Sequence, residues 1–430
     1  MTWLELIPQP RPRPEAFNPF GEAPIQWDVF ISYRSTNRYW AVALYDQLTL
    51  AGFRVFLDQF VLRPGIDLEI SLSESLKKSA SGVLVLSEDV EGAPWVQGEY
   101  TKMKAQRDER SSSELPFNYV IARIDKSPLP FKDGNMLYCD FSEGFEDGPR
   151  GAELVRLIHG LVGVPLSDGA ARTLNAADEQ TKELLTKLAA ASKLGKHERI
   201  VELMQSGRPE LAESPAFATT AAQLLISTKH PEEALAVIRS AQKHFPRSVR
   251  LRQLEGLALR RLKHVDEAQD VLAQLYVEKH RDPETLGIFA ATWWVRYEKS
   301  RDRADLERSR SLYLEAFELS PKDEYVGINA ASKSALLGEL DTAREIATRV
   351  GKLVGKFTDG ADFYKSLTLA EALVLVGSYD AAARVYQAAR QKHPERGGDV
   401  EGTLVQLNAL VAALGISEDS AAKLRKSLGG

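Results

Sequence analysis

In Trp27-Asp28-Val29-Phe30-Ile31-Ser32-Tyr33-Arg34 an unbroken apolar triplet, Val29-Phe30-Ile31, lies between an acid and a polar Ser-Tyr-Arg step. A strand covered on both faces needs a continuous apolar run of this kind, whereas a half-exposed strand alternates. Asn37 to Ala51 then carries Trp40, Leu44 and Leu48 four residues apart, a helical stripe, and Gly52 follows where a left-handed residue ends a helix. Phe53 to Leu57 reads as a second strand. Strand, helix and strand within thirty residues predict a parallel βαβ unit.

The alternation continues downstream. Gln59 to Ile66 reads as a loop stopped by Pro64-Gly65, and Leu68, Leu72 and Leu76 mark a helix. Gly82 to Ser87 reads as a third strand, Trp95 to Arg107 as a helix and Tyr119 to Ile124 as a fourth strand. Met136 to Phe141 reads as a short fifth strand and Gly151 to Val162 as a closing helix. The expected fold class is α/β, a flavodoxin-like doubly wound parallel sheet of five strands, over residues 26–165. Upstream, Pro8, Pro10, Pro12 and Pro14 forbid helix in residues 1–25 and favour an extended chain. Such a segment suits a strap lying on the next domain or a ligand for a proline-binding domain.

Leu166 to Asp178 reads as a polar linker, and residues 179–430 as a second, all-α region rich in alanine and leucine. A repeat runs through it. Ile200, Ala234 and Ala268 each follow acidic residues and succeed one another at intervals of 34 residues; Ser309 and Ala343 repeat the interval, and Ala382 marks a further copy. Pro246, Pro321 and Pro394 hold a common terminating place, and a cap is expected after Ser417. A 34-residue helix-turn-helix period resembles the tetratricopeptide (TPR) repeat, which implies an α-solenoid. Trp293, Trp294 and Tyr297 read as core aromatics of one repeat, and Lys102, Lys104, Arg107 and Arg110 as a solvated helix end.

Composition narrows the function. With 44% hydrophobic and 27% charged residues the chain is an ordinary globular protein. A net charge of −5 gives no general attraction to nucleic acid or anionic lipid. The single cysteine, Cys139, excludes an intramolecular disulfide or a cysteine-based zinc site. No apolar run approaches the ~20 residues of a membrane span, and Met1 to Ile7 lacks the form of a signal peptide, so a cytoplasmic location is expected. The seven histidines show no ligand spacing, and neither a metal nor a bound cofactor is expected.

In an open parallel sheet ligands bind beyond the carboxyl ends of the strands, where strand order reverses. With order 2-1-3-4-5 that point lies between strands one and three. It gathers Tyr33, Arg34, Asp58, Trp95 and Glu99, the last two one helical turn apart.

Four motifs in order then resemble the Toll/interleukin receptor (TIR) family: Asp28 to Arg34, Gly52 to Asp58, Leu62-Arg63-Pro64-Gly65 and Trp95-x-x-x-Glu99. The resemblance implies an enzyme that cleaves the nicotinamide–ribose bond of NAD+, giving nicotinamide and ADP-ribose or a cyclic form, with Glu99 catalytic. NAD+ is then a substrate. Arg34 is expected to meet the pyrophosphate, Asp58 to line the cleft, and Phe60 or Trp95 to stack on a base. Pro94 and the short segment Asp89 to Ala93 depart from the family pattern. A TIR domain joined to TPRs resembles bacterial immune effectors. That resemblance implies self-association through TIR domains, triggered by a protein or small molecule on the repeats, with NAD+ depletion as antiphage defence. The alternative is a non-catalytic TIR–TPR scaffold, in which Trp95 and Glu99 merely cover a sheet edge.

Overall fold

A computed structural model describes residues 6–11, 25–34, 37–61, 68–87, 94–113, 115–126, 138–142, 148–207, 211, 215–355, 362–393 and 397–429. The N-terminal elements are β1 (Trp27–Ser32), α1 (Arg38–Leu50), β2 (Val55–Phe56), α2 (Asp58–Val61) and α3 (Leu68–Lys77). They continue with β3 (Ser79–Leu86), α4 (Pro94–Glu109), β4 (Asn118–Arg123), β5 (Tyr138–Asp140) and α5 (Gly151–Val162). The five strands form one parallel sheet of order β2-β1-β3-β4-β5. Val29, Phe30 and Ile31 are buried, as are Val83 to Leu86. The apolar runs are therefore the centre of a sheet covered on both faces.

Asp28 fixes the edge of that sheet. Its carboxylate accepts the Arg54 backbone N–H at 2.7 Å, and its carbonyl accepts the Ser81 hydroxyl at 2.6 Å, tying β1 to both neighbours. Arg54 is thus engaged before β2 begins, which shortens that strand from the expected Phe53–Leu57 to Val55–Phe56. The Phe30 and Phe56 rings stack at 5.0 Å across the pair. The expected loop from Gln59 opens instead as the short helix α2.

Residues 6–11 behave as a strap. Arg11 donates from Nε to the Val162 carbonyl and from Nη1 to the Pro116 carbonyl, both at 2.7 Å, and the His159 ring meets the Leu6 carbonyl at 3.0 Å. Pro12 and Pro14 lie outside the described residues.

The segment read as a linker is largely helical: α6 runs Asp168–Lys193. The Ser167 hydroxyl accepts the Ala170 N–H at its start, and Leu174, Leu184 and Leu188 bury one face. Alanines between them favour helix. The turn-like Ser167-Asp168-Gly169 is its cap rather than the start of a connector.

The chain divides into two compact units, Met1–Lys263 and His264–Gly430. The first also holds α7 (His197–Met204), α8 (Ala216–Ser227), α9 (Pro231–Gln242) and α10 (Val249–Arg261). The second holds α11 (Val265–Val277), α12 (Pro283–Ser300), α13 (Arg303–Leu319), α14 (Glu324–Leu336), α15 (Leu340–Val354) and α16 (Phe363–Leu375). It ends with α17 (Tyr379–Lys392), α18 (Gly397–Ala413) and α19 (Glu418–Leu428).

Every position that marks the repeat in the sequence (Ile200, Ala234, Ala268, Ser309, Ala343, Ala382) is buried on the second helix of its copy. All but Ile200 are alanine or serine, small enough for neighbouring helices to approach closely. The one polar member, Ser309, satisfies its hydroxyl on the Ala290 carbonyl at 2.9 Å. The expected cap is α19, which buries Ala421, Leu424 and Leu428 in the last core cluster. Pro394 lies outside the described residues.

Trp293, Trp294 and Tyr297 are half-buried rather than core. Trp294 instead offers its ring to a cation, and the Lys333 ammonium stands 4.1 Å from the ring centroid. Lys333, 1% exposed, donates to Gln406 Oε1 at 2.9 Å and to Asn329 Oδ1 at 3.2 Å. The Gln406 amide in turn donates to Glu371 Oε1 at 2.6 Å. Burial pushes the Lys333 amine down to about 8, against the opposing pull of Glu371 and Glu298. One carboxamide therefore satisfies a buried ammonium and a carboxylate together. Gln406→Leu removes an acceptor and a donor at once and is expected to destabilise the second unit by about 2–3 kcal/mol. A thermal melt of the full chain reads this as a drop in its midpoint.

Candidate active site

The candidate site is built on the carboxyl edge of the sheet, where β1 and β3 end side by side. Ser32, the last residue of β1, is in register with Leu84, so the sheet itself positions its side chain. The Ser32 hydroxyl donates to Glu99 Oε2. Glu99 lies in the second turn of α4, the helix that follows β3, and is only 7% exposed. A carboxylate so far from bulk water must be held by donors, because an unpaired buried charge is strongly unfavourable.

A second polar pair joins the same edge. Asn37 Nδ2, just before α1, donates to Ser87 Oγ just after β3, at 2.6 Å, and both residues are buried. Just past the end of β1 the Tyr33 hydroxyl donates to Asp58 Oδ1 at 2.6 Å, a link to the start of α2. Burial first, and then the Asp58 charge, push the Tyr33 phenol far above its ordinary range, so it remains a donor at any physiological pH.

Of the residues expected here, Tyr33, Asp58 and Glu99 are brought to one edge by these hydrogen bonds. Arg34 is half-buried just beyond β1, and its carbonyl accepts the Asn37 N–H at 2.8 Å. Trp95 lies in the first turn of α4. Phe60 stands on the short helix that Asp58 begins. It is 44% exposed on α2, and its ring packs on Tyr45 of α1 at 4.8 Å. Leu62-Arg63-Pro64-Gly65 and the segment Asp89 to Ala93 lie outside the described residues.

A cation from the repeats reaches α1 and α2. Arg247, in the turn between α9 and α10, pairs with Asp46 of α1 at 2.6 Å. Its guanidinium also stands 5.4 Å from the Tyr45 ring centre and 5.9 Å from that of Phe60.

Comparison with known proteins settles the family of this sheet. Residues 29–157 match the TIR domain family, and residues 230–337 match the family described as Tetratricopeptide Repeats-Sensor. The chain thus carries a TIR domain over residues 29–157 and, after it, a TPR sensor domain over residues 230–337. The NAD(+) hydrolase TcpA of a Theionarchaea archaeon is 32% identical over 126 residues, 29% of this chain and 38% of that protein. The disease resistance protein RUN1 of Vitis rotundifolia is 28% identical over 151 residues, 34% of this chain and 11% of that protein. The chain thus spans well under half the length of either relative.

Among solved structures, a thermophilic TPR protein of Thermus thermophilus is 20% identical, covering 45% of this chain and 97% of that one with a TM-score of 0.37. A tetratricopeptide repeat protein of Parabacteroides merdae is 13% identical, covering 58% of this chain and 98% of that one with a TM-score of 0.35.

Two members of the site carry little signal in the sequence. Ser32 is one serine at the end of an apolar run, and only the period-two alternation of the strand hints that it shares a face with Phe30. Arg247 is about 200 residues from its partners, in a turn that the sequence marks only by Pro246. No local pattern connects it to the TIR domain.

No helix among the described residues is long and apolar enough to cross a membrane. Among the same residues no cluster of three metal-ligating side chains occurs.

Proposed function

We propose that the TIR domain is an NAD+ glycohydrolase with Glu99 as its catalytic carboxylate. The observation that carries this reading is a glutamate side chain, 7% exposed, joined to the last residue of β1 at the carboxyl edge of a parallel sheet. The kinship with an archaeal NAD(+) hydrolase supports it.

The chemistry asks little of the protein beyond that acid. Nicotinamide departs as a neutral molecule when the ribose C1′–N bond breaks and the bond pair stays with the pyridine nitrogen. No general acid is therefore needed. Positive charge develops on the ribose, as in glycoside hydrolysis, and a fixed carboxylate beside it lowers the barrier electrostatically. Water then adds at C1′ and loses a proton, leaving ADP-ribose; attack by the adenine within the same molecule gives the cyclic form instead. Arg34 takes the pyrophosphate in this scheme, Asp58 lines the cleft and Trp95 stacks on a base.

The repeats supply control. A protein or small molecule bound to the TPR sensor domain brings TIR domains of several chains together, and the assembled enzyme depletes NAD+, an outcome suited to defence against phage. A population shift of this kind needs a trigger that binds the assembled state more tightly. The test is incubation of the purified chain with NAD+ across a range of protein concentrations, with nicotinamide, ADP-ribose and cyclic ADP-ribose resolved by chromatography. Rate per chain rising with concentration supports the reading; intact NAD+ at every concentration leaves a scaffold.

A further inference from the structure

Ser32 has no part in the scheme above, yet its hydroxyl donates to the Glu99 carboxylate. Ser32 is itself 2% exposed and ends β1, in register with Leu84 of the neighbouring β3. Its hydroxyl oxygen is therefore placed by the sheet, whereas Glu99 is carried by the separate helix α4. From this geometry we infer that Ser32 is a positioning residue for NAD+ cleavage, orienting the Glu99 carboxylate toward the ribose. The inference rests on the proposed role of Glu99.

A hydrogen bond donated to a carboxylate favours its charged form. Removing it moves the acid limb of the rate–pH profile upward. Ser32→Ala is expected to lower kcat about tenfold, leave KM within about twofold, and shift that limb to higher pH. Ser32→Thr, which keeps the hydroxyl, restores both. A merely structural serine would not move the pH limb or be rescued in this pattern. If the wild type cleaves NAD+ and the Ser32→Ala profile overlays it, the positioning role is wrong while Glu99 stands. A wild type inactive in every state removes both.

A separate observation concerns control. Arg247, from the repeats, touches α1 and α2 together, through the ion pair to Asp46 and the faces of Tyr45 and Phe60. Asp46 keeps about a quarter of its side-chain surface in solvent; its partial burial pushes the carboxyl up, and the neighbouring guanidinium opposes that push. Phe60 lies two residues after Asp58, the acid bound by Tyr33. The repeats thus hold the short helix that carries a wall of the candidate site. We propose that Arg247 clasps α2 and restrains the TIR domain until the repeats shift. This too rests on the enzyme reading.

The test uses the full chain with NAD+ as probe, at a protein concentration where the wild type is slow. Arg247→Asp is expected to raise nicotinamide release about tenfold, the scale of one exposed ion pair plus cation–ring contacts. Combining it with Asp46→Arg rebuilds the pair with reversed charges and returns the rate to the wild-type level. An active wild type that Arg247→Asp fails to exceed, with an unchanged melting curve, overturns the clasp and spares the enzyme. Absence of cleavage in both proteins at every concentration overturns the two together.

Discussion

Glu99→Ala is expected to lower nicotinamide release by about 100- to 1,000-fold, the usual effect of deleting a group that stabilises charge in the transition state. The side chain is buried against Ser32, so deleting it leaves a hole and an unpaired hydroxyl, with a stability loss of about 1–3 kcal/mol. Glu99→Gln separates the two effects. It fills the same volume and still accepts from Ser32, but carries no charge to set against the developing ribose cation. An inactive, fully folded Glu99→Gln protein assigns the loss to charge. Activity near wild type in Glu99→Gln would sink the catalytic role, whatever the alanine variant does. KM for NAD+ is expected to change less than kcat, because the carboxylate acts on charge that the ground-state ribose does not carry.

Trp40→Ala is the variant expected to damage the fold most. Trp40, 2% exposed, fills the core beneath α1 and meets the Phe141 ring edge-on at 5.3 Å. Loss of an indole from such a place costs about 3–5 kcal/mol, a large share of a domain's whole stability. The damage spreads to function through position. The helix that Trp40 anchors starts one residue after Asn37, which bonds Ser87, and carries Tyr45 and Asp46, which face Arg247. Urea unfolding followed by tryptophan fluorescence reads the loss as a lower midpoint for the first unit. Leu50→Ala, at the exposed end of the same helix, is the control and is expected to change stability by no more than ~0.5 kcal/mol.

How much of this was legible from the chain depends on the range of the interaction. Apolar runs and helical stripes report local burial, so β1, α1 and α5 fall where the sequence puts them, α5 residue for residue, while β3 starts three residues before the expected Gly82. The order of strands also followed, because a βαβ chain has few right-handed ways to wind. Boundaries failed where a tertiary bond intervened: β2 lost residues to the Arg54–Asp28 contact, and a polar stretch after Leu166 became the capped start of α6. Trp294, expected in a core, turned to a lysine whose partners come from separate helices, a grouping no periodicity encodes.

The sequence alone determined the parallel sheet and the 34-residue helical repeat, since each follows from residue periodicity and strand winding. Only the tertiary structure decided that Ser32 holds Glu99, that Gln406 satisfies Lys333 and that Arg247 reaches Phe60. These contacts join residues 67 to 187 positions apart. Hydrogen bonds and ion pairs act over a few ångströms between single atoms, so only the completed packing of helices and strands brings their partners within reach.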